Sequence, residues 1–143
     1  MIFNEKAECL DRGSIKVLQS ERLKGLVKNI LPQSPFYRKK FAEAGVASKD
    51  VHSIDDITKL PFTVKEDLRD HYPFELCSKP FENIRELHVS SGTTGNPIVV
   101  GYSREDIDLW ADVIARSLCC AGAKPGDMIQ VAYGYGLFTG GLG

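Results

Sequence analysis

Ser90-Ser91-Gly92-Thr93-Thr94-Gly95-Asn96-Pro97 is the stretch on which the reading of this chain turns. Its two glycines let successive backbone N–H groups face one point, and the hydroxyls of Ser90, Ser91, Thr93 and Thr94 add short donors of adjustable direction. Together they suit the oxygens of a polyphosphate. The same residue types also dominate ordinary hairpin turns, so the flanks matter. Arg85-Glu86-Leu87-His88-Val89 before the stretch and Ile98-Val99-Val100-Gly101-Tyr102 after it both read as β-strands. A strand on the far side excludes a Walker loop, which opens a helix and needs a Gly-Lys pair that this chain lacks. Gly134-Tyr135-Gly136 is no dinucleotide fingerprint either, because Thr139 stands where the third glycine belongs.

Beyond the second strand, Ser103-Arg104-Glu105-Asp106 reads as a helix cap, followed by Ile107, Trp110, Ile114, Leu118 and Ala121 along one face and Gly122 as the stop. Lys124-Pro125-Gly126-Asp127 is a turn into a third strand, Met128 to Ala132. The expectation is therefore an α/β layer with the order strand, loop, strand, helix, strand. The chain then runs through Tyr133-Gly134-Tyr135-Gly136-Leu137-Phe138 to a glycine-rich close at Gly143, which reads as a turn toward a further element. On that ground the sequence is expected to be an amino-terminal piece of a longer protein.

Residues 1 to 83 have a different texture. Up to position 89 the chain holds 15 of its 18 Lys+Arg and 14 of its 19 Asp+Glu but three of its 13 glycines. Glycine gathers where backbone takes unusual angles or approaches a ligand closely, so function is sought in the second part. Ile15, Leu18, Leu23, Leu26, Val27, Ile30 and Leu31 predict an amphipathic helix that ends near Pro32. Ser34-Pro35 caps the next, which carries Tyr37 and Phe41 one turn apart and closes at Gly45. Ser53 to Asp56 and Thr63 to Glu66 read as capping boxes of two short helices. The expected organisation is a helical segment over 1–83 and the start of an α/β region over 84–143.

A formal charge of -1 argues against a nucleic-acid partner, and 43% hydrophobic residues suffice for a packed core. No apolar run approaches the ~20 residues that cross a bilayer, and Met1 to Lys6 is no signal peptide; a cytoplasmic protein without a membrane partner is expected. Cys9, Cys77, Cys119 and Cys120 form no C-x-x-C pair, and His52, His71 and His88 lack ligand spacing, so no metal site is expected within the segment. Ser103 lies outside any nucleophile elbow and is better explained as a cap. His88, a strand histidine just before the loop, is expected to be packed.

These residues carry a resemblance. Ser90 to Pro97, followed by Ile98 to Tyr102, looks like the phosphate-binding motif of the adenylate-forming superfamily. Leu60 to Arg69, Asp106 to Trp110 and Tyr133 to Gly141 narrow it to the phenylacetate-coenzyme A ligase family. The similarity runs essentially the whole length. In that family lysine is frequent after the second loop glycine, where Asn96 stands here.

The resemblance implies the amino-terminal part of the adenylate-forming fold and ligation of phenylacetate, or a related aryl acid, to coenzyme A through an acyl-adenylate. ATP, Mg2+ and coenzyme A are implied with it. Ser90, Ser91, Gly92, Thr93, Thr94 and Gly95 would hold the nucleotide's phosphates. Tyr133, Gly134, Gly136 and Phe138 would form the acid pocket, with the catalytic groups outside this segment. The segment alone is expected to be inactive and, with an uncovered sheet edge and apolar face, to self-associate. The competing reading is a nucleotide-binding or subunit-association module without chemistry.

Overall fold

The computed structural model describes residues 1–90, 97–130 and 132. Helices come first: α1 (Glu5–Glu8), α2 (Arg12–Gln33), α3 (Pro35–Glu43) and, after two 3-10 turns at Ser48–Asp50 and Ile54–Lys59, α4 (Lys65–Asp70). A hairpin and one long helix follow: β1 (Ile84–Val89), β2 (Val99–Ser103) and α5 (Arg104–Cys120).

The helix signals act largely where the sequence puts them. Asp11 caps α2 by accepting from Ser14 N, and Ser34 caps α3 by accepting from Tyr37 N, with Pro35 in the first turn. Gly45 leaves α3 at φ 68 and Gly122 follows α5 at φ 100, left-handed angles that cost glycine little. α2 ends at Gln33, near Pro32 as expected, with the proline inside its last turn. There it removes one N–H bond without breaking the helix. Arg38 Nη1 satisfies the freed end by donating to the carbonyls of Leu31 at 3.2 Å and Pro32 at 2.8 Å.

The Ser53–Asp56 capping box forms as expected, whereas the one at Thr63 does not. The segment after Ser53 is a 3-10 turn, with Asp56 accepting from Ser53 N at 3.0 Å and from His52 N at 2.8 Å. Before α4 the predicted box is displaced by one residue: Asp67, not Glu66, accepts from Val64 N at 2.8 Å. Thr63 is drawn off by a tertiary contact, its hydroxyl 3.1 Å from that of Tyr37 on α3.

The core sits in this helical part. Leu23 and Val27 of α2 meet Phe41 of α3 and Val51, all buried, with Leu31, Tyr37, Val46, Ile54 and Leu60 packed around them. Each fully buried side chain of this kind stabilises by roughly 1.5–3 kcal/mol. The buried stripe of α2 is narrower than the periodicity suggests, since Leu26 stays 58% exposed.

β1 and β2 pair antiparallel, with Leu87 opposite Gly101 and Val89 opposite Val99. α5 starts without a loop, because Ser103 both ends β2 and caps the helix: Ser103 N donates to Asp106 Oδ2 at 2.9 Å, and its hydroxyl to the same oxygen at 2.7 Å. The hairpin and α5 are tied to the helical part by polar contacts, among them the ion pair of Arg116 with Glu8 at 3.7 Å. Asn4 Nδ2 donates to Asp112 Oδ1 at 3.2 Å, and Lys79 Nζ reaches Glu105 at 2.8 Å and Ser103 Oγ at 3.2 Å.

The expected third strand is not seen among the described residues. Among the described residues the sheet has two strands, and Met128, Ile129 and Gln130, past the Lys124–Asp127 turn, carry no regular secondary structure. Met128 is 98% exposed accordingly. β-propensity without a ladder partner does not make a strand.

Candidate functional site

The loop candidate connects β1 to β2, and its described ends are joined in a neck at Ser90 and Ile98. Ser90 N donates to the Ile98 carbonyl at 2.9 Å. Ile98 N donates back to Ser90 Oγ, also at 2.9 Å. Ser90 is thus the last ladder residue as well as the first loop residue. One acceptor position of its hydroxyl is committed to the neck, while its O–H proton remains available to an oxygen beyond. Sequence reasoning did not foresee this second role, which depends on strand register. Ser91, Gly92, Thr93, Thr94 and Gly95, together with Asn96, lie outside the described residues. So do Tyr133, Gly134, Gly136 and Phe138.

Below the neck the hairpin is anchored by an aromatic cluster. His88 is 7% exposed, with its ring centroid 4.9 Å from that of Tyr102 in an edge-on arrangement and 5.4 Å from that of Trp110 on α5. Its Nε2 lies 3.3 Å from Glu86 Oε2, and its Nδ1 is buried without a hydrogen-bond partner. The histidine is packed, as its position on a strand suggested. Edge-on aromatic pairs add about 0.5–1.5 kcal/mol beyond area burial, so the cluster fixes the strand that leads into the loop.

Gly101 belongs to the same frame. A Cβ there would stand 3.1 Å from Cδ1 and Cγ2 of Ile84, so the glycine lets Ile84 lie across the hairpin. At the far end, Lys79 holds the Glu105 carboxyl at about 2 by its hydrogen bond, well below the usual 4.5. The same bond raises the Lys79 ammonium above its ordinary value.

The described residues contain no group of three or more His, Cys, Asp or Glu able to hold a metal ion. Cys9, Cys77, Cys119 and Cys120 are free thiols.

No family model matches the chain. Named relatives do. Over all 143 residues it is 52% identical to the phenylacetate-coenzyme A ligase of Thermus thermophilus. Over 146 aligned positions it is 50% identical to the phenylacetate-coenzyme A ligase of Escherichia coli. The chain belongs to the phenylacetate-coenzyme A ligase family. It spans about a third of the length of these relatives, 32% and 33%.

The fold agrees with membership of this ligase family. A 2-hydroxyisobutyryl-CoA ligase in complex with 2-HIB-AMP and CoA superposes on 82% of the chain with a TM-score of 0.76 at 31% identity, using 26% of its own length. The same ligase in its postadenylation state with 2-HIB-AMP gives 0.74 at 29% identity. The α/β arrangement of a phenylacetate-coenzyme A ligase family chain is thus that of adenylate-forming CoA ligases.

Proposed function

We propose that, in a protein of the relatives' length, this chain serves ATP-dependent ligation of phenylacetate or a related aryl acid to coenzyme A. The carboxylate oxygen bonds to the α-phosphorus of ATP as the bond to pyrophosphate breaks, leaving an acyl-adenylate. The coenzyme A thiolate then takes the acyl carbon, releasing AMP and giving phenylacetyl-CoA. The observation that carries this reading is identity of half or more along the whole chain with phenylacetate-coenzyme A ligases from two organisms.

In this reading Ser90, Ser91, Gly92, Thr93, Thr94 and Gly95 neutralise and position the polyphosphate with fixed donors. The rigid hairpin neck at Ser90 and Ile98 supports such a role, because a phosphate cradle has to be held before the ligand arrives. The substrate is itself the nucleophile, so no serine or cysteine is required of this segment. Mg2+, which the family implies, finds no donor set among the described residues. Tyr133, Gly134, Gly136 and Phe138 supply the aromatic wall of the acid pocket. Residues 1–83 act as a helical support and 84–143 as the beginning of the nucleotide- and acid-binding region.

The chain by itself forms no thioester, resides in the cytoplasm and self-associates. No helix among the described residues is long and apolar enough to cross a membrane. Self-association is supported by α5, which leaves Ile114 47% and Leu118 39% exposed on the face predicted for the core.

The test is a chimaera in which the aligned third of the Thermus thermophilus ligase is replaced by this chain. With ATP, magnesium, phenylacetate and coenzyme A it is expected to make phenylacetyl-CoA and pyrophosphate, while the chain alone releases no more pyrophosphate than a protein-free control. A folded but inactive chimaera that accepts no other aryl acid would overturn the proposal.

A further inference from the structure

A second polar cleft lies at the opposite end of the hairpin from the loop. It has a volume of about 590 Å³ and is walled by the second half of α2, the connection from Ser78 to Arg85 and the first turn of α5. Arg85 sits on β1 as an extra residue: Ile84 pairs with Ser103 and Glu86 with Tyr102, leaving Arg85 with no residue opposite. Bulges of this kind re-aim the side chain they carry. Arg85 lines the cleft together with Arg104, the first residue of α5.

The cleft carries Lys79, Arg85 and Arg104 against Glu105 and Asp106. Glu105 is committed to Lys79 at 2.8 Å, and Asp106 is committed to the N–H and hydroxyl of Ser103 at 2.9 and 2.7 Å. Arg85 and Arg104 have neither an ion pair nor a hydrogen bond from their guanidinium groups among the described residues. The side-chain amides of Asn29, Gln33 and Asn83, on the same walls, are equally without partners there.

We propose that this cleft binds a phosphomonoester of a small polar molecule, with Arg85 and Arg104 on the phosphate. Two guanidinium groups without an ion pair offer two planar forks, which suit phosphate oxygens. A single carboxylate would leave one of them unmatched. The volume lies in the range of clefts that take an organic ligand, and the three amides offer donors and acceptors to hydroxyl groups of its body. The site is distinct from the nucleotide loop. Five residues of extended strand, about 17 Å at strand spacing, separate Arg85 from Ser90. It also stands independently of the ligase reading.

The experiment uses the 143-residue chain with glucose 6-phosphate as the probe and nuclear magnetic resonance as the readout. Saturable shifts are expected at the Arg85 and Arg104 Nε–H signals and at the amides of Asn29, Gln33 and Asn83. Glucose should produce none and inorganic phosphate weaker ones. Arg85→Ala should weaken binding at least tenfold. Arg104→Gln, a change at an exposed position, should do the same and stands in where Arg85→Ala disturbs folding. Glucose 6-phosphate shifts that are absent, or that persist unchanged in folded Arg104→Gln, would overturn the proposal. Equal binding of inorganic phosphate would overturn the assignment of an ester.

Discussion

Ser90 carries two demands at once, and the difference between them can be measured. As the acceptor from Ile98 N it closes the hairpin neck, and as a hydroxyl at the loop entrance it is proposed to face phosphate. Ser90→Ala should therefore destabilise the chain before any ligand is added, by roughly 0.5–1.5 kcal/mol, the net worth of one such bond. Faster amide exchange at Ile98 should accompany the loss in a denaturation series. Unchanged stability would leave Ser90 with a ligand role alone. Gly101 gives a steric counterpart. Gly101→Ala should cost about 1–3 kcal/mol by overpacking against Ile84, and Ile84→Val should recover part of it. At this scale the sequence was legible where one residue type has one outlet, as with Ser103, Ser34 and Gly45. It was illegible where a side chain had a tertiary alternative. Thr63 looks like a cap but faces Tyr37, and the cap passes to Asp67. The bulge at Arg85 has no sequence signature, because it arises from the pairing of two strands.

Elements were readable in proportion to how much of their stability is local. α5 has its hydroxyl cap, its acidic first turn and its glycine stop in sequence, and it forms as read. Its packing was less legible. The helix has 17 residues, and at ~1.5 Å per residue it outruns the ~10 Å width of a two-stranded hairpin. Ile107 and Trp110 are therefore half-buried, while Ile114 and Leu118 stay exposed. The strand expected at Met128 to Ala132 is not seen among its described residues, for the related reason that a strand needs a neighbour, which no local pattern supplies. One junction between elements should respond to acid. Glu105 has its carboxyl lowered from 4.5 to about 2, chiefly by the hydrogen bond from Lys79. A group lowered on folding stabilises above its unfolded value, and that contribution is lost as pH falls through the folded one. The stability difference between wild type and Glu105→Gln should thus be present at neutral pH and fade between about 4.5 and about 2. The exposed position of Glu105 keeps the effect small. A difference that is constant across this window would detach the bridge from folding.

The molecule as a whole has its packed apolar cluster in the helical part and its candidate chemistry on a hairpin that the cluster does not reach directly. Such a division leaves one side of the hairpin layer uncovered, and uncovered apolar faces recruit other chains. The chain at micromolar concentration should scatter light as more than a monomer, with the excess declining on dilution. A clean monomer over a hundredfold range would count against it.

Family membership was legible because it is spread over four separated motifs rather than resting on one loop. The acid pocket, by contrast, was assigned through the family resemblance of Tyr133 to Gly141. Its test in the chimaera is Phe138→Ala, expected to raise KM for phenylacetate by about tenfold, equivalent to roughly 1.4 kcal/mol, while sparing that for ATP. An equal loss for both substrates would return Phe138 to a packing role.

If Ser90 to Gly95 works on the nucleotide, pyrophosphate release by the chimaera carrying Gly92→Val reports it. A branched side chain at this glycine restricts the turn and obstructs phosphate approach. Saturation by ATP should fail or shift to much higher concentration while the dependence on phenylacetate holds, with Thr94→Ala affecting ATP in the same direction but less. Wild-type dependence on ATP in both variants, with a raised KM for phenylacetate, would contradict the account.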